Sequence, residues 1–192
     1  MLTIEEVNQL IRSRRSVFAS QFEEGRIIPD EVIMDILENA NTAPTHKKTE
    51  PWRFKIFTGE GLKKLGLDQA EIYKNEAGDS FKEARYESLK TAPLKSSHVI
   101  AICMKASGSV PEVEEVAAVA CAVQNIYLSL AVHGLGGYWS TGGITFMEGA
   151  KPYFGLESDD KLLGFFFLGY TKIPSAPRTP GAIEEKIEWI RG

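Results

Sequence analysis

The sequence predicts an α+β domain of 192 residues. Three observations carry that prediction. Apolar residues recur at helical spacing through several long segments. Short, wholly apolar runs with strand character stand between them. Hydrophobic residues make up 43% and charged residues 25% of the chain, the balance of a globular protein able to build its own core.

The first helix is marked by Thr3 as N-cap with Glu6 three residues on, a capping box, followed by an apolar face of Ile4, Val7, Leu10 and Ile11. It ends in Arg12, Arg14, Arg15 and Ser16. Cations at a helix C-terminus are favoured by the dipole. Forked guanidinium groups also suit a phosphate, and both readings stand at this point. A second helix opens at Pro29 and Asp30 and carries a stripe of Val32, Ile33, Ile36, Leu37 and Ala40.

Pro44 and Pro51 bound a stiff loop carrying His46, Lys47 and Lys48, either a binding loop or a solvated connector. A strand follows at 52–58, then two charge-rich helical patterns at 62–77 and 80–90. Those helices carry no legible motif and read as a solvated flank or as a lid. Residues 99–104 form a buried strand.

Pro111 opens a long helix to about His133 that is apolar on nearly every side, which predicts burial on every side, at the centre of a domain or of a dimer, and hints at oligomerisation. A membrane span is disfavoured by its short length and its polar middle. Gly134 and Gly136 only partly match a dinucleotide fingerprint. They follow a helix instead of opening one, and Trp139 stands where the last glycine belongs. A helix stop, a short strand and a glycine-rich turn are expected instead. Residues 161–170 form a buried strand. Pro174, Pro177 and Pro180 then make an extended tail bearing Arg178, with apolar residues near the end that need something to pack on.

A formal net charge of −4 and the lack of a basic block argue against nucleic-acid binding. Cys103 and Cys121 sit in apolar runs and read as buried small hydrophobes. The polar opening residues argue against a signal peptide, so a cytoplasmic protein is expected. His46, His98 and His133 show no metal-ligand spacing, and no motif for a protein nucleophile appears. Any redox or transfer chemistry then falls to a cofactor, and Arg14, Arg15 and Arg178 point to an anionic one.

Four segments share a further likeness. Arg14-Arg15-Ser16, the 43–54 stretch with Ala-Pro-Thr-His-Lys and Pro-Trp-Arg-Phe, Gly-Gly-Tyr-Trp-Ser-Thr-Gly at 136–142, and Gly164 to Tyr170 with Pro177 and Arg178 resemble, in that order, the motifs of the nitroreductase family of flavin oxidoreductases. The His-Lys form is similar to the small NAD(P)H nitroreductases of bacteria.

The resemblance implies one nitroreductase-like α+β domain over 1–192, a mixed sheet flanked by helices with 171–192 as an extended arm. It implies a homodimer with FMN at the interface and NAD(P)H as co-substrate. The electron-poor acceptor would be a nitroaromatic or a quinone, reduced in ping-pong fashion with flavin N5, not a side chain, as the reactive atom. A redox-sensing module and dehalogenation on the same scaffold are the alternatives.

Carried over residue by residue, Arg14, Arg15 and Ser16 would grip the phosphate, ribityl chain or pyrimidine edge, and Arg178 the phosphate. The partner subunit's Thr42 and His46 would join them. Trp139, Ser140 and Thr141 would line the flavin, with Gly142 near N5. Phe18 stands where many members carry a basic residue, and Lys48 and Glu50 replace an asparagine and a glutamine.

Overall fold

The computed structural model describes residues 2–172 and 178–192. Its centre is a four-stranded sheet in the order β1-β2-β4-β3, built from β1 (Trp52–Thr58), β2 (His98–Met104), β3 (Leu135–Ser140) and β4 (Lys161–Tyr170). Around it lie α1 (Ile4–Ser13), α2 (Asp30–Asn41), α3 (Glu60–Glu76), α4 (Glu83–Thr91), α5 (Glu112–Val132) and the short α6 (Ala150–Tyr153).

Every residue of β2 is buried, because helices cover both faces of the sheet. The two-residue period of the strand divides its side chains between two cores. Ile100, Ile102 and Met104 pack with α2 and α5, together with Phe166 and Leu168 of β4. Val99, Ala101 and Cys103 pack with α3 and the following segments, together with Phe165 and Phe167. Burial pushes the Cys103 thiol up to about 12, so it stays protonated and inert.

All three strand pairings are antiparallel. The mixed sheet implied by the resemblance is therefore an antiparallel one among the described residues. β2 and β3 run in the same direction, but β4 lies between them, so they form no parallel ladder.

The predicted elements match closely: α2 buries Ile33, Ile36, Leu37 and Ala40, and the capping box of α1 forms with Thr3 and Glu6 in both directions. Three expectations are corrected or fall outside. Within one chain α5 is not buried on all sides: Val113, Cys121 and Val132 are exposed on its outer face, so Cys121 is not in the core of its own chain. By length and composition α5 is the one described helix able to cross a membrane, yet it lies against α2 and the sheet. Pro174 and Pro177 lie outside the described residues.

Candidate functional site

Helix α1 stops at Arg14, whose backbone leaves helical geometry at φ −56° and ψ 132°. The chain then runs beside the free edge of β3, where the Val17 N–H donates to the Gly137 carbonyl at 3.0 Å. This path fixes the arginines. One Nη of Arg15 donates to the carbonyls of Arg12 and Arg14 at 2.6 and 2.9 Å, so Arg15 does cap orphan helix carbonyls. Arg14 does something else: its guanidinium lies 4.8 Å from the centre of the Tyr127 ring on α5. The Tyr127 hydroxyl accepts from the Trp139 N–H at 2.8 Å and faces Ser16 Oγ at 3.3 Å. One tyrosine thus ties the end of α1 to the end of β3.

Arg178 reaches the same place. With Ile11, Arg12, Arg14, Arg15 and Pro180 it lines a cleft of about 400 Å³. None of the described residues lining that cleft is acidic. Arginines from opposite ends of the chain therefore line one small volume, a residue set suited to a phosphate dianion.

Trp139 is held by a defect in the sheet. Between Ala101 and Cys103 the β2–β4 register shifts, opposite Leu162 and Phe165, so β4 carries an extra residue at the Leu163–Gly164 bulge. The Leu163 carbonyl accepts the Trp139 indole N–H at 2.8 Å. Gly164 sits at φ +118°, and a Cβ there would stand 2.3 Å from the Ser140 carbonyl oxygen. Only glycine allows this turn. Gly136 and Gly137, by contrast, make room for neighbouring side chains: Val17 and Thr171 at one, Phe166 and Leu130 at the other.

Ser140 and Gly142 lie at the end of β3, facing the α3–α4 side. The Gly142 N–H donates to Ser140 Oγ at 3.3 Å, and Thr145 Oγ1 donates to the Gly142 carbonyl at 2.7 Å. Thr141 is exposed. A cavity of about 240 Å³ opens here between Ser140, Gly142, Gln69 and Arg85. The charge-rich middle of the chain is therefore a wall of this cavity, closer to the lid reading than to a solvated flank. Sequence reasoning missed Arg85 and Gln69, which belong to no motif. Phe18 has a structural place of its own: its ring lies 5.1 Å from Tyr138, which stacks on Phe167 at 4.9 Å.

Thr42 and His46 do not join this group. α2 lies antiparallel along α5, with Asp35 bonded to His133 and Asn125 to the Asn39 carbonyl. The chain beyond α2 continues toward the start of α5, where His46 pairs with Glu114. Thr42 turns its hydroxyl back to the Asn39 carbonyl at 2.8 Å. Glu114 and Tyr127 are thirteen residues apart on one helix, about 20 Å at 1.5 Å per residue. Within one chain His46 and the arginine cleft are a helix length apart. The loop beyond is strained, with positive φ at Lys47, Lys48 and Glu50, a cost commonly met at functional sites.

Known proteins share this fold. The nitroreductase family model matches residues 11–170. The Putative NAD(P)H nitroreductase YdjA of Escherichia coli (strain K12) is 28% identical over 150 residues, which span 76% of this chain and 79% of YdjA. The crystal structure of a nitroreductase-like family protein from Bacillus cereus superposes with a TM-score of 0.84 at 27% identity over the whole of both chains. A Desulfovibrio desulfuricans nitroreductase-type protein, crystallised with FMN, has a TM-score of 0.73 at 21% identity over 99% of each chain. The fold is theirs, and the family match covers most of the sequence, from the arginine end of α1 to the last residue of β4: this chain belongs to the nitroreductase family.

Proposed function

We propose that the protein is an FMN-dependent oxidoreductase that uses NAD(P)H to reduce an electron-poor acceptor such as a nitroaromatic or a quinone, acting in the cytoplasm as a homodimer of single-domain chains. The observation that carries the reading is the acid-free cleft where Arg12, Arg14, Arg15 and Arg178 converge. A mononucleotide phosphate fits that residue set by charge and by the forked donors that guanidinium groups offer. When bound there, FMN would supply the hydride chemistry that links NAD(P)H to the acceptor.

The chain's own groups bind and orient. Arg14, Arg15, Ser16 and Arg178 hold the phosphate and ribityl end. Trp139, Ser140, Thr141 and Gly142 line the ring. Tyr127 fixes Ser16 and Trp139 relative to each other through its hydroxyl. Fixed guanidinium groups favour a negatively charged cofactor in both redox states, which is preorganised electrostatics and not acid–base catalysis.

Dimerisation is supported by apolar surface that the chain leaves uncovered. Ile4 is 82% exposed, Val113 72%, Trp189 74% and Ile190 89%, and an arm this apolar suits a second copy. In such a dimer the partner subunit's Thr42 and His46 would complete the cleft that they cannot reach within their own chain.

The test begins with the visible spectrum of purified protein, with extraction to distinguish FMN from FAD. Arg14→Ala combined with Arg178→Ala is expected to release FMN, lowering affinity by at least about 10-fold for lost charged hydrogen bonds. Retention of full FMN affinity by that variant would show that the arginines serve only the helix end. Anaerobic NADH and NADPH titration, then addition of a nitroaromatic, reads the two half-reactions. A flavin that NAD(P)H does not reduce would remove the enzyme reading in favour of a sensor.

A further inference from the structure

The cavity between α4 and the end of β3 has a composition that the arginine cleft does not explain. Arg85 stands on α4, and its Nη2 lies 3.5 Å from where a Cβ on Gly142 would be, so the guanidinium leans over the turn. It makes no hydrogen bond or ion pair with any described residue. On α3 and α4, Glu87 pairs with Lys90 and Glu71 takes the Tyr86 hydroxyl. Gln69 is 4% exposed, and its Nε2 donates to the Leu89 carbonyl at 2.6 Å. Its Oε1 lies on the Gly143 side and accepts from no described residue. That oxygen is not sealed off from the cavity, so it is open to a donor from water or a ligand. Tyr138, Phe165 and Phe167 give the cavity an aromatic wall, and no described residue lining it is acidic.

One uncommitted cation, one amide acceptor and an aromatic wall in about 240 Å³ define a small binding site with a chemical preference. We infer that this cavity is the subsite that selects the electron acceptor, and that it selects a flat aromatic carrying a carboxylate, with Arg85 taking the carboxylate and Gln69 Oε1 taking a hydrogen-bond donor on the ring. The inference rests on the oxidoreductase reading above and names its substrate class. A whole dinucleotide is too large for the space. The other anion at hand, the extra phosphate of NADPH, would have to reach in from a cofactor lying outside it. Arg85 is exposed, so its pull weakens as salt screens it.

The experiment compares 4-nitrobenzoate with 4-nitrobenzamide as acceptors for the holoprotein. The ratio of their kcat/KM values is expected to favour the carboxylate. It should fall about 10-fold in Arg85→Gln, the scale of a charged hydrogen bond, and recover in part in Arg85→Lys. Benzoate and benzamide binding by calorimetry gives a second readout that needs no turnover. There the benzoate preference should also be lost in Arg85→Gln. An unchanged ratio, or equal benzoate affinity in both proteins, overturns the subsite. A selective rise in the NADPH KM, with the acceptor ratio intact, overturns it in favour of a phosphate contact. If NAD(P)H does not reduce the flavin of the wild type, the oxidoreductase reading fails, and the calorimetry still decides whether Arg85 selects carboxylates.

Discussion

Helices α1 and α2 read alike in sequence and end differently in the structure. Each has an N-terminal signal and a regular apolar stripe. α2 lays Ile33, Ile36, Leu37 and Ala40 into the core beside α5, and all four are buried. α1 buries nothing: Ile4, Val7 and Ile11 remain exposed, although its capping box is complete. Period tells that a helix has a face, but not who covers it. The cover for α2 is in its own chain. The cover for α1 is not among the described residues, and in the proposed dimer it is a second copy.

That contrast can be tested by attacking each stripe. Ile36→Ala should cost about 2–5 kcal/mol of global stability, the range for emptying a packed site. Urea unfolding at two protein concentrations should show the loss at both. Ile4→Asp with Ile11→Asp should do the opposite. In analytical ultracentrifugation the variant should sediment as a monomer where the wild type is a dimer, and FMN retention should fall with it. If the variant stays dimeric, the open face of α1 is not the interface.

A smaller difference lies in acid. His98 is buried at the start of β2, near Asp30 in the first turn of α2. Burial holds it below its ordinary pKa of 6.5, with Asp30 opposing. The unfolded chain therefore takes up the proton first. Stability present above about pH 6.5 is lost as pH falls through the lower folded value. The capping box of α1 responds later. Its hydrogen bonds from Thr3 hold the Glu6 carboxyl below the ordinary 4.5, so that contribution persists until pH falls through a lower value still. Urea midpoints across this range should drop first around His98, and His98→Asn should remove that early slope.

Much of the fold was legible because burial on two faces leaves a plain record. The apolar run at 161–170 became β4 with the same ends, and the 99–104 run became β2. The bulge at Leu163–Gly164 was not legible, since a glycine in a strand reads the same whether it bends or merely packs. What covers the outer face of α5 was not legible, because a helix covered by another molecule and one covered by its own chain have the same composition. Of the site, the arginines could be found from their unusual density. Arg85 could not, because one arginine in a charge-rich helix carries no signal until the fold brings Gly142 beneath it. The positive φ at Lys47 and Lys48 was hidden for a related reason: lysine is not a residue that announces a left-handed turn.

The reach of α5 has one more consequence. It keeps the arginine end and the His46 end of each polypeptide apart, so in the proposed dimer every cleft is assembled from two different halves. Co-refolding an Arg14→Ala chain with a chain impaired at Thr42 and His46 would then produce mixed pairs in which one cleft regains both intact halves while the other collects both defects. Two inactive preparations would complement each other on mixing, and the stoichiometry of recovered flavin would count the hybrids.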